Sequence, residues 1–140
     1  LLPDLSMQWA MAELFNHPEA FHRVRKEIES VTKNVRLVEE SDISKMPYLQ
    51  AVVKETLRLY PAGPFDFVSF GGGWRGCPGT TLAFNLMNTA LAAMIQCFDW
   101  KIGEDGKGVK VDMKSGSGMS LSMVHPLICI PILYFNPYDE

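Results

Sequence analysis

Prolines recur through the first two thirds of the chain and divide it into segments that are long enough to form helices. Proline disfavours helix in the residue before it but suits the first turn of a new helix, so Pro18, Pro47 and Pro78 each mark a helix start. Pro61 and Pro64 end the helix that starts at Pro47. This spacing predicts helices over about 4–15, 18–31, 47–60 and 78–98.

Each helical segment repeats apolar residues at three- and four-residue steps, which indicates amphipathic helices that share one core. The polar stretch VEESDISKM, residues 38–46, connects the second helix to the third and has room for a short helical turn. The predicted core positions are Met7, Met11, Leu14, Phe21, Val24, Ile28, Val31, Leu49, Val52, Val53, Thr56, Leu57, Leu82, Leu86, Met87, Ala90, Leu91, Met94, Ile95 and Phe98.

Short extended segments lie between and after the helices. FDFVSF at 65–70 reads as a strand or an extended lead-in, and FDWKI at 98–102 reads as a strand. HPLICIPILYF at 125–135 reads as a strand pair or an extended edge interrupted by Pro131. A length of 140 residues suits one domain, residues 1–140, so the predicted fold is mainly α with minor β.

Composition excludes several classes of protein. The net charge of −3 and the lack of a basic patch argue against a nucleic-acid partner. No run approaches the roughly 18 apolar residues that a membrane span needs. The opening LLPDLS has no basic segment typical of a signal peptide, and it suggests a piece of a longer protein.

The cysteines and histidines do not have the spacing of a metal cluster. Cys77, Cys97 and Cys129 lie far apart, which argues against both a disulfide framework and a zinc site and favours a reducing compartment. Cys97 and Cys129 fit small buried apolar positions. The histidines are expected at surface, capping or structural positions: His17, His22 and His125.

The stretch FGGGWRGCPG, residues 70–79, allows two chemistries. Gly71–Gly76 satisfies G-x-G-x-x-G, the pattern of a dinucleotide-binding loop, and Asp99 follows at about the distance of a ribose contact. Trp74 and Arg75 are bulky where backbone would have to approach a pyrophosphate, and no βαβαβ alternation surrounds the loop. A nucleotide-binding fragment is therefore the weaker alternative.

A thiolate site explains more of the same residues. A cysteine at a helix N-terminus meets unpaired backbone N–H groups and the positive end of the helix dipole, and both favour the thiolate. Glycines before Cys77 let backbone amides approach the sulfur, and Arg75 adds positive charge for an anionic group. These are the requirements for a thiolate that ligates haem iron.

The stretch resembles the haem-binding signature of the cytochrome P-450 superfamily, F-x-x-G-x-R-x-C-x-G. Phe70, Gly73, Arg75, Cys77 and Gly79 match its five fixed positions. The resemblance implies that Cys77 is the axial ligand of the haem iron and that Arg75 contacts a haem propionate. It also implies that Phe70 packs beside the thiolate and that Gly79 lets the next helix lie close under the porphyrin.

The resemblance extends over nearly the whole chain. Glu55 and Arg58 match the family's E-x-x-R and are neighbours on one helix face. The segments resemble the end of the I helix, the J, K and L helices and the C-terminal strands. The segments MPYLQAVVKETLRLYP and HPLICIPI most resemble the sequences of plant microsomal members of the family. Among these, the resemblance is closest to flavone and isoflavone synthases and related flavonoid hydroxylases.

Two departures from the family pattern bear on activity. The oxygen-activating pair, an acidic residue followed by threonine, is not present, because Leu5 follows Asp4; Asp4 is expected to cap the first helix or lie in its first turn. The E-x-x-R helix also lies too close to the cysteine loop, which indicates an internal deletion with its junction near 64–66. Glu55 and Arg58 would then lack the arginine that completes their cluster in the family.

The resemblance implies an ancestral haem-thiolate monooxygenase acting on a small lipophilic or phenolic, flavonoid-like substrate. Its electrons would come from an NADPH-dependent reductase, and the family's location is the cytosolic face of the endoplasmic reticulum membrane. Family position assigns substrate lining to Gly63–Phe65 and to the turn at Met119–Leu121. The alternative is a truncated, non-catalytic product without haem, and we expect no oxygenation by this chain alone.

Overall fold

The part of the chain that the structure describes forms four α-helices, one 3₁₀ helix and one two-stranded sheet, which confirms the prediction of a mainly α fold with minor β. The computed structural model of the protein describes residues 2–61, 70–71, 74, 76–116 and 121–138. The elements are α1 (Leu2–Asn16), α2 (Pro18–Thr32), a 3₁₀ helix (Glu40–Lys45), α3 (Pro47–Leu59), α4 (Thr80–Cys97), β1 (Phe98–Ile102) and β2 (Cys129–Leu133). The predicted helix bounds lie within two residues of those observed, and most of the predicted segment 65–70 is outside the described residues.

Helix α3 begins at Pro47, as predicted, and a neighbouring helix caps it. The residue before it has no side-chain cap of its own. Instead the carboxylate of Glu27, on α2, accepts the backbone N–H groups of Tyr48 at 3.0 Å and Leu49 at 2.9 Å. These amides have no partner within the helix, so one carboxylate both satisfies α3 and fixes its position against α2.

The core lies where α1, α2 and α3 meet the second half of α4. The stripes predicted for the first three helices are buried or partly buried there, and Asp4 lies in the first turn of α1, as expected. The fully buried members, each exposed by less than 2 %, include Trp9, Ile28, Met46, Leu49, Met87, Leu91 and Ile95.

The prediction was wrong for the first half of α4. Leu82 is 74% exposed and Leu86 is 55% exposed, although both were assigned to the core. Consecutive helical residues are about 100° apart, so Leu82 and Leu86 form a stripe beside the one that starts at Met87. Only the second stripe, with Leu91 and Ile95, faces the other helices.

The end of α4 is held by a buried arginine from α2. Arg25 is only 8% exposed, and its guanidinium donates to the carbonyl oxygens of Ile95 and Phe98 and to the carboxylate of Asp99. The ring of Tyr134, just after β2, lies 4.2 Å from the same guanidinium. Arg25 therefore connects α2 to the end of α4 and the start of β1.

Strand β2 runs through Pro131 rather than being interrupted by it, which corrects the prediction. The strands are antiparallel, with Pro131 opposite Trp100, and the N–H of Gly103 donates to the carbonyl of Ile128 at 2.8 Å. Because hydrogen-bonded pairs alternate along an antiparallel ladder, this bond places Trp100 and Pro131 in a non-hydrogen-bonded pair. The nitrogen of proline, which lacks a hydrogen, then faces away from β1, so Pro131 costs no hydrogen bond between the two strands.

Candidate functional site

Cys77 lies in the loop that leads into α4, three residues before the first residue of that helix. Its thiol is free and exposed, so the prediction that Cys77 sits just before a helix rather than in a dry core is confirmed. The helix itself begins at Thr80 rather than at Pro78, with Gly79 in the capping position. That backbone N–H groups point at the sulfur stays a prediction.

The backbone of Cys77 is fixed on both sides. Its N–H donates to the carbonyl oxygen of Phe70 at 2.7 Å, which closes the loop. Its own carbonyl oxygen accepts the N–H of Thr80 at 3.3 Å and the hydroxyl of Thr80 at 2.7 Å. The loop therefore holds the main chain of Cys77 in place while the side chain remains available to solvent.

Two glycines shape this loop. Gly71 has a φ of 74°, in the left-handed region that favours glycine. A Cβ added at Gly79 would lie 3.7 Å from the sulfur of Cys77, in van der Waals contact with it. A larger residue at position 79 would thus cover one side of the sulfur, and glycine leaves that side open to an external group.

An open, exposed thiol on an anchored backbone fits what a haem iron requires of its protein ligand. Phe70, one of the other signature positions, is described and partly buried, with its ring centroid 5.4 Å from that of Phe84. Gly73 and Arg75 lie outside the described residues. Their predicted contacts with haem stay predictions.

The requirements of the dinucleotide alternative are not met in the described part of the chain. Asp99, the candidate ribose ligand, is paired with Arg25. The sheet is a two-stranded antiparallel pair, whereas a dinucleotide-binding fold is built on parallel strands with crossover helices. Trp74, inside the glycine pattern, is fully exposed at 107% of its reference area.

Glu55 and Arg58 form the predicted pair on α3. Arg58 donates to both carboxylate oxygens, with distances of 2.8 Å and 2.6 Å, and this hydrogen bonding lowers the pKa of the Glu55 carboxyl. Their side chains are 55% and 66% exposed, respectively. Among the residues that the structure describes, Arg58 is the arginine that contacts Glu55. Arg75 lies outside those residues, so the loss of the family's third partner stays a prediction.

The remaining cysteines and histidines do not contribute a second site. Burial raises the pKa of the thiols of Cys97 and Cys129, consistent with their predicted structural role. Within the described ranges, no three histidine, cysteine or acidic side chains are grouped so that they could hold a metal ion. His17 precedes α2 and lies near two glutamates, and His125 is exposed.

The predicted substrate-lining segments are described only in part. Gly63–Phe65 lies outside the described residues, as do Met119 and Ser120. The carbonyl oxygen of Leu121 accepts the indole N–H of Trp9, the latter on α1, at 2.7 Å. Sequence reasoning also missed Phe84, because an aromatic contact across a loop leaves no local periodicity.

No helix among the described residues is both long enough and apolar enough to cross a membrane.

A sequence model of the family described as Cytochrome P450 matches residues 5–66 and 64–129. Cytochrome P450 93A2 of Glycine max is 35% identical over an alignment that covers 95% of this chain and 38% of that protein. The chain thus spans well under half the length of this relative.

Two further soybean proteins give similar matches. The 3,9-dihydroxypterocarpan 6A-monooxygenase is 34% identical, with 96% of this chain and 38% of that protein covered. Beta-amyrin 24-hydroxylase is 32% identical, with 97% and 39% covered. A zebrafish cytochrome P450 solved with abiraterone shares the fold with a TM-score of 0.76 at 19% identity, covering 91% of this chain and 44% of that one.

Proposed function

The chain belongs to the cytochrome P450 family, and we propose that it carries the family's haem-binding loop with Cys77 as the ligand of the haem iron. The single observation that carries the proposal is the state of Cys77. Its thiol is exposed while both its N–H and its carbonyl oxygen are hydrogen-bonded. A ligand residue needs this combination, because its backbone must be held while its sulfur stays accessible.

Each residue of the loop would have a different role in binding haem. Cys77 would supply the thiolate, and Gly79 would leave room beside the sulfur, where an added Cβ would lie at 3.7 Å. Arg75 would neutralise a propionate, and Phe70 would hold the loop closed through its carbonyl oxygen. When bound, haem supplies the oxygen chemistry, and a thiolate ligand donates electron density to the iron.

For the protein as a whole we propose monooxygenation of a small lipophilic or phenolic substrate. Two of the matched soybean proteins carry the names of a pterocarpan monooxygenase and an amyrin hydroxylase, which supports this substrate class. We further propose electrons from an NADPH-dependent reductase and a place at the cytosolic face of the endoplasmic reticulum membrane. Both proposals follow from the family resemblance.

We also propose that an internal segment present in the relatives is missing at residues 64–66. The family match breaks into two stretches that meet at these residues. The alignment with the soybean relative runs over 195 positions, more than the 140 residues that the chain contains. The exposure of the Glu55–Arg58 pair is what the loss of a covering segment would produce.

The missing segment favours a second candidate function, that of a non-catalytic product. Oxygen activation in this family of reactions needs a site from which water is excluded. The segment proposed to be missing lies next to the cysteine loop in sequence, so its loss would leave the haem site less enclosed. The chain would then retain a haem-binding loop without the enclosure that turnover requires.

Haemin titration of the purified chain tests the ligand proposal. The wild-type protein should give the ferric absorbance spectrum of a thiolate complex, and Cys77→Ser should abolish that spectrum because a hydroxyl is a poor ligand for ferric iron. Cys129→Ser is the matched control and should leave the spectrum unchanged, since that thiol is half-buried with a raised pKa. Identical spectra for wild type and Cys77→Ser would refute Cys77 as the ligand.

A further inference from the structure

Phe84 is the fifth residue of α4 and lies outside the sequence signature, which ends at Gly79. Its side chain is partly buried against the core. Its ring packs against that of Phe70, with the centroids 5.4 Å apart and the planes inclined by 46°. The centroid distance lies within the range of about 4.5–7 Å that interacting aromatic pairs occupy.

Phe70 connects this ring contact to the cysteine. Its carbonyl oxygen accepts the N–H of Cys77 at 2.7 Å, while its side chain rests on Phe84. On the other side, the carbonyl oxygen of Cys77 is held by Thr80, the first residue of α4. Both anchors of Cys77 therefore lead back to α4, one through the backbone and one through the Phe70–Phe84 contact.

We infer that Phe84 is a positioning residue for Cys77: it holds Phe70 on the helix and so keeps the loop closed around the cysteine backbone. As far as the haem iron is concerned, the inference rests on the proposed function. The closure of the loop itself does not depend on haem. Residues that support a ligand from behind in this way fix its orientation and tune its affinity for the metal group.

The helix offers a matched control for Phe84. Leu86 lies two residues further on but is 55% exposed, and it is not part of the aromatic contact. Truncating Leu86 removes apolar surface from the same helix but leaves the ring that packs on Phe70 in place. A conservative variant, Phe84→Tyr, keeps the ring that the inference requires.

Amide hydrogen exchange of the chain without haem tests the inference. In Phe84→Ala the Cys77 amide should exchange about tenfold faster or more, because its bond to Phe70 opens, while the amide of Ile28 in the core of α2 keeps its protection. Leu86→Ala should leave the Cys77 amide unchanged, and Phe84→Tyr should restore it. An unchanged Cys77 amide in Phe84→Ala, or one that changes only in parallel with Ile28, would overturn the inference.

If Phe84→Ala does not fold, Phe84→Leu is used instead, since it keeps apolar bulk but loses the ring. Exchange of its Cys77 amide is compared with that of the Ile28 amide in the same way, with the same expected and contradicting results. Haemin titration gives a second readout: Phe84→Ala should weaken the thiolate-type ferric spectrum, and Phe84→Tyr should restore it. Failure of the proposed function would appear as equal spectra for wild type and Cys77→Ser. Because the exchange experiment uses the chain without haem, it decides the role of Phe84 in either case.

Discussion

Arg25 on α2 forms an ion pair with Asp99 at the start of β1. The arginine is buried, whereas the side chain of the aspartate is 52% exposed. The same guanidinium donates to the carbonyl oxygens of Ile95, at 3.0 Å, and Phe98. One side chain thus satisfies a carbonyl in the last turn of α4 and the first carbonyl of β1.

Arg25→Met should therefore be strongly destabilising. It leaves two carbonyl oxygens without their donor and removes the partner of Asp99, so we expect a loss of about 2 to 4 kcal/mol in the free energy of unfolding. Urea denaturation of the variant measures this loss. Lys26→Met, an exposed change at the next position, should cost little, and equal losses for the two variants would contradict the role given to Arg25.

The stability of the chain should fall in acid because of Asp42. This carboxylate is only 1% exposed and accepts two hydrogen bonds from Arg36, at 2.6 Å and 2.9 Å, which lower its pKa to about 2. The pKa of aspartate in an unfolded chain is about 3.9. Because the folded-state pKa is lower, ionisation of Asp42 stabilises the folded state. The stabilisation, on the order of 2 kcal/mol, is present at neutral pH and lost as the pH falls from about 4 to about 2.

Urea denaturation of wild type and Asp42→Asn at neutral and at acid pH checks this expectation. The stability gap between the two proteins should be largest at neutral pH and should shrink in acid. Glu104→Gln, which alters an exposed carboxylate, should give a small gap at every pH. A gap for Asp42→Asn that stays constant down to pH 2 would contradict the argument.

Glu55→Gln should leave the free energy of unfolding without measurable change. The Glu55–Arg58 pair is exposed, and ion pairs in water contribute little because solvent screens them. If the segment of the soybean relative were inserted at 64–66, covering the pair, the same substitution should become destabilising. A large loss in the chain as it stands would show that Glu55 belongs to a buried cluster.

The 140-residue polypeptide, supplied with haemin, a reductase and a flavonoid substrate, should form no oxygenated product. With the proposed internal segment missing, the haem site would be open to water, and after reduction and addition of carbon monoxide the thiolate would tend to protonate. The absorbance band of a thiolate-ligated complex should accordingly be weak. If the wild-type chain forms product and Cys77→Ala does not, the prediction is wrong and the chain is an active enzyme.

The helices could be predicted from the sequence because their signals are local. Pro18 and Pro47 mark helix starts, and three- and four-residue periodicity marks the buried face. The same periodicity failed at Leu82 and Leu86, since it shows where apolar stripes lie but not which stripe meets a partner. Arg25 could not be recognised either, because its acceptors are about seventy residues away in sequence.

The candidate site divides in the same way. The position of Cys77 before a helix follows from glycines and a proline within a few residues, so it was predictable and is confirmed. The contact between Phe70 and Phe84 spans the loop and depends on how the loop closes. The tolerance of β2 for Pro131 depends on the register with β1, which only the folded pair defines.

X-ray absorption at the iron of the haemin-loaded chain tests the central claim most directly, because it reports which atoms coordinate the metal. The account predicts a sulfur ligand in the wild-type protein that is replaced by a nitrogen or oxygen ligand in Cys77→Ser and retained in Cys129→Ser. An iron without sulfur coordination in the wild type, or a sulfur ligand that persists in Cys77→Ser, would contradict it.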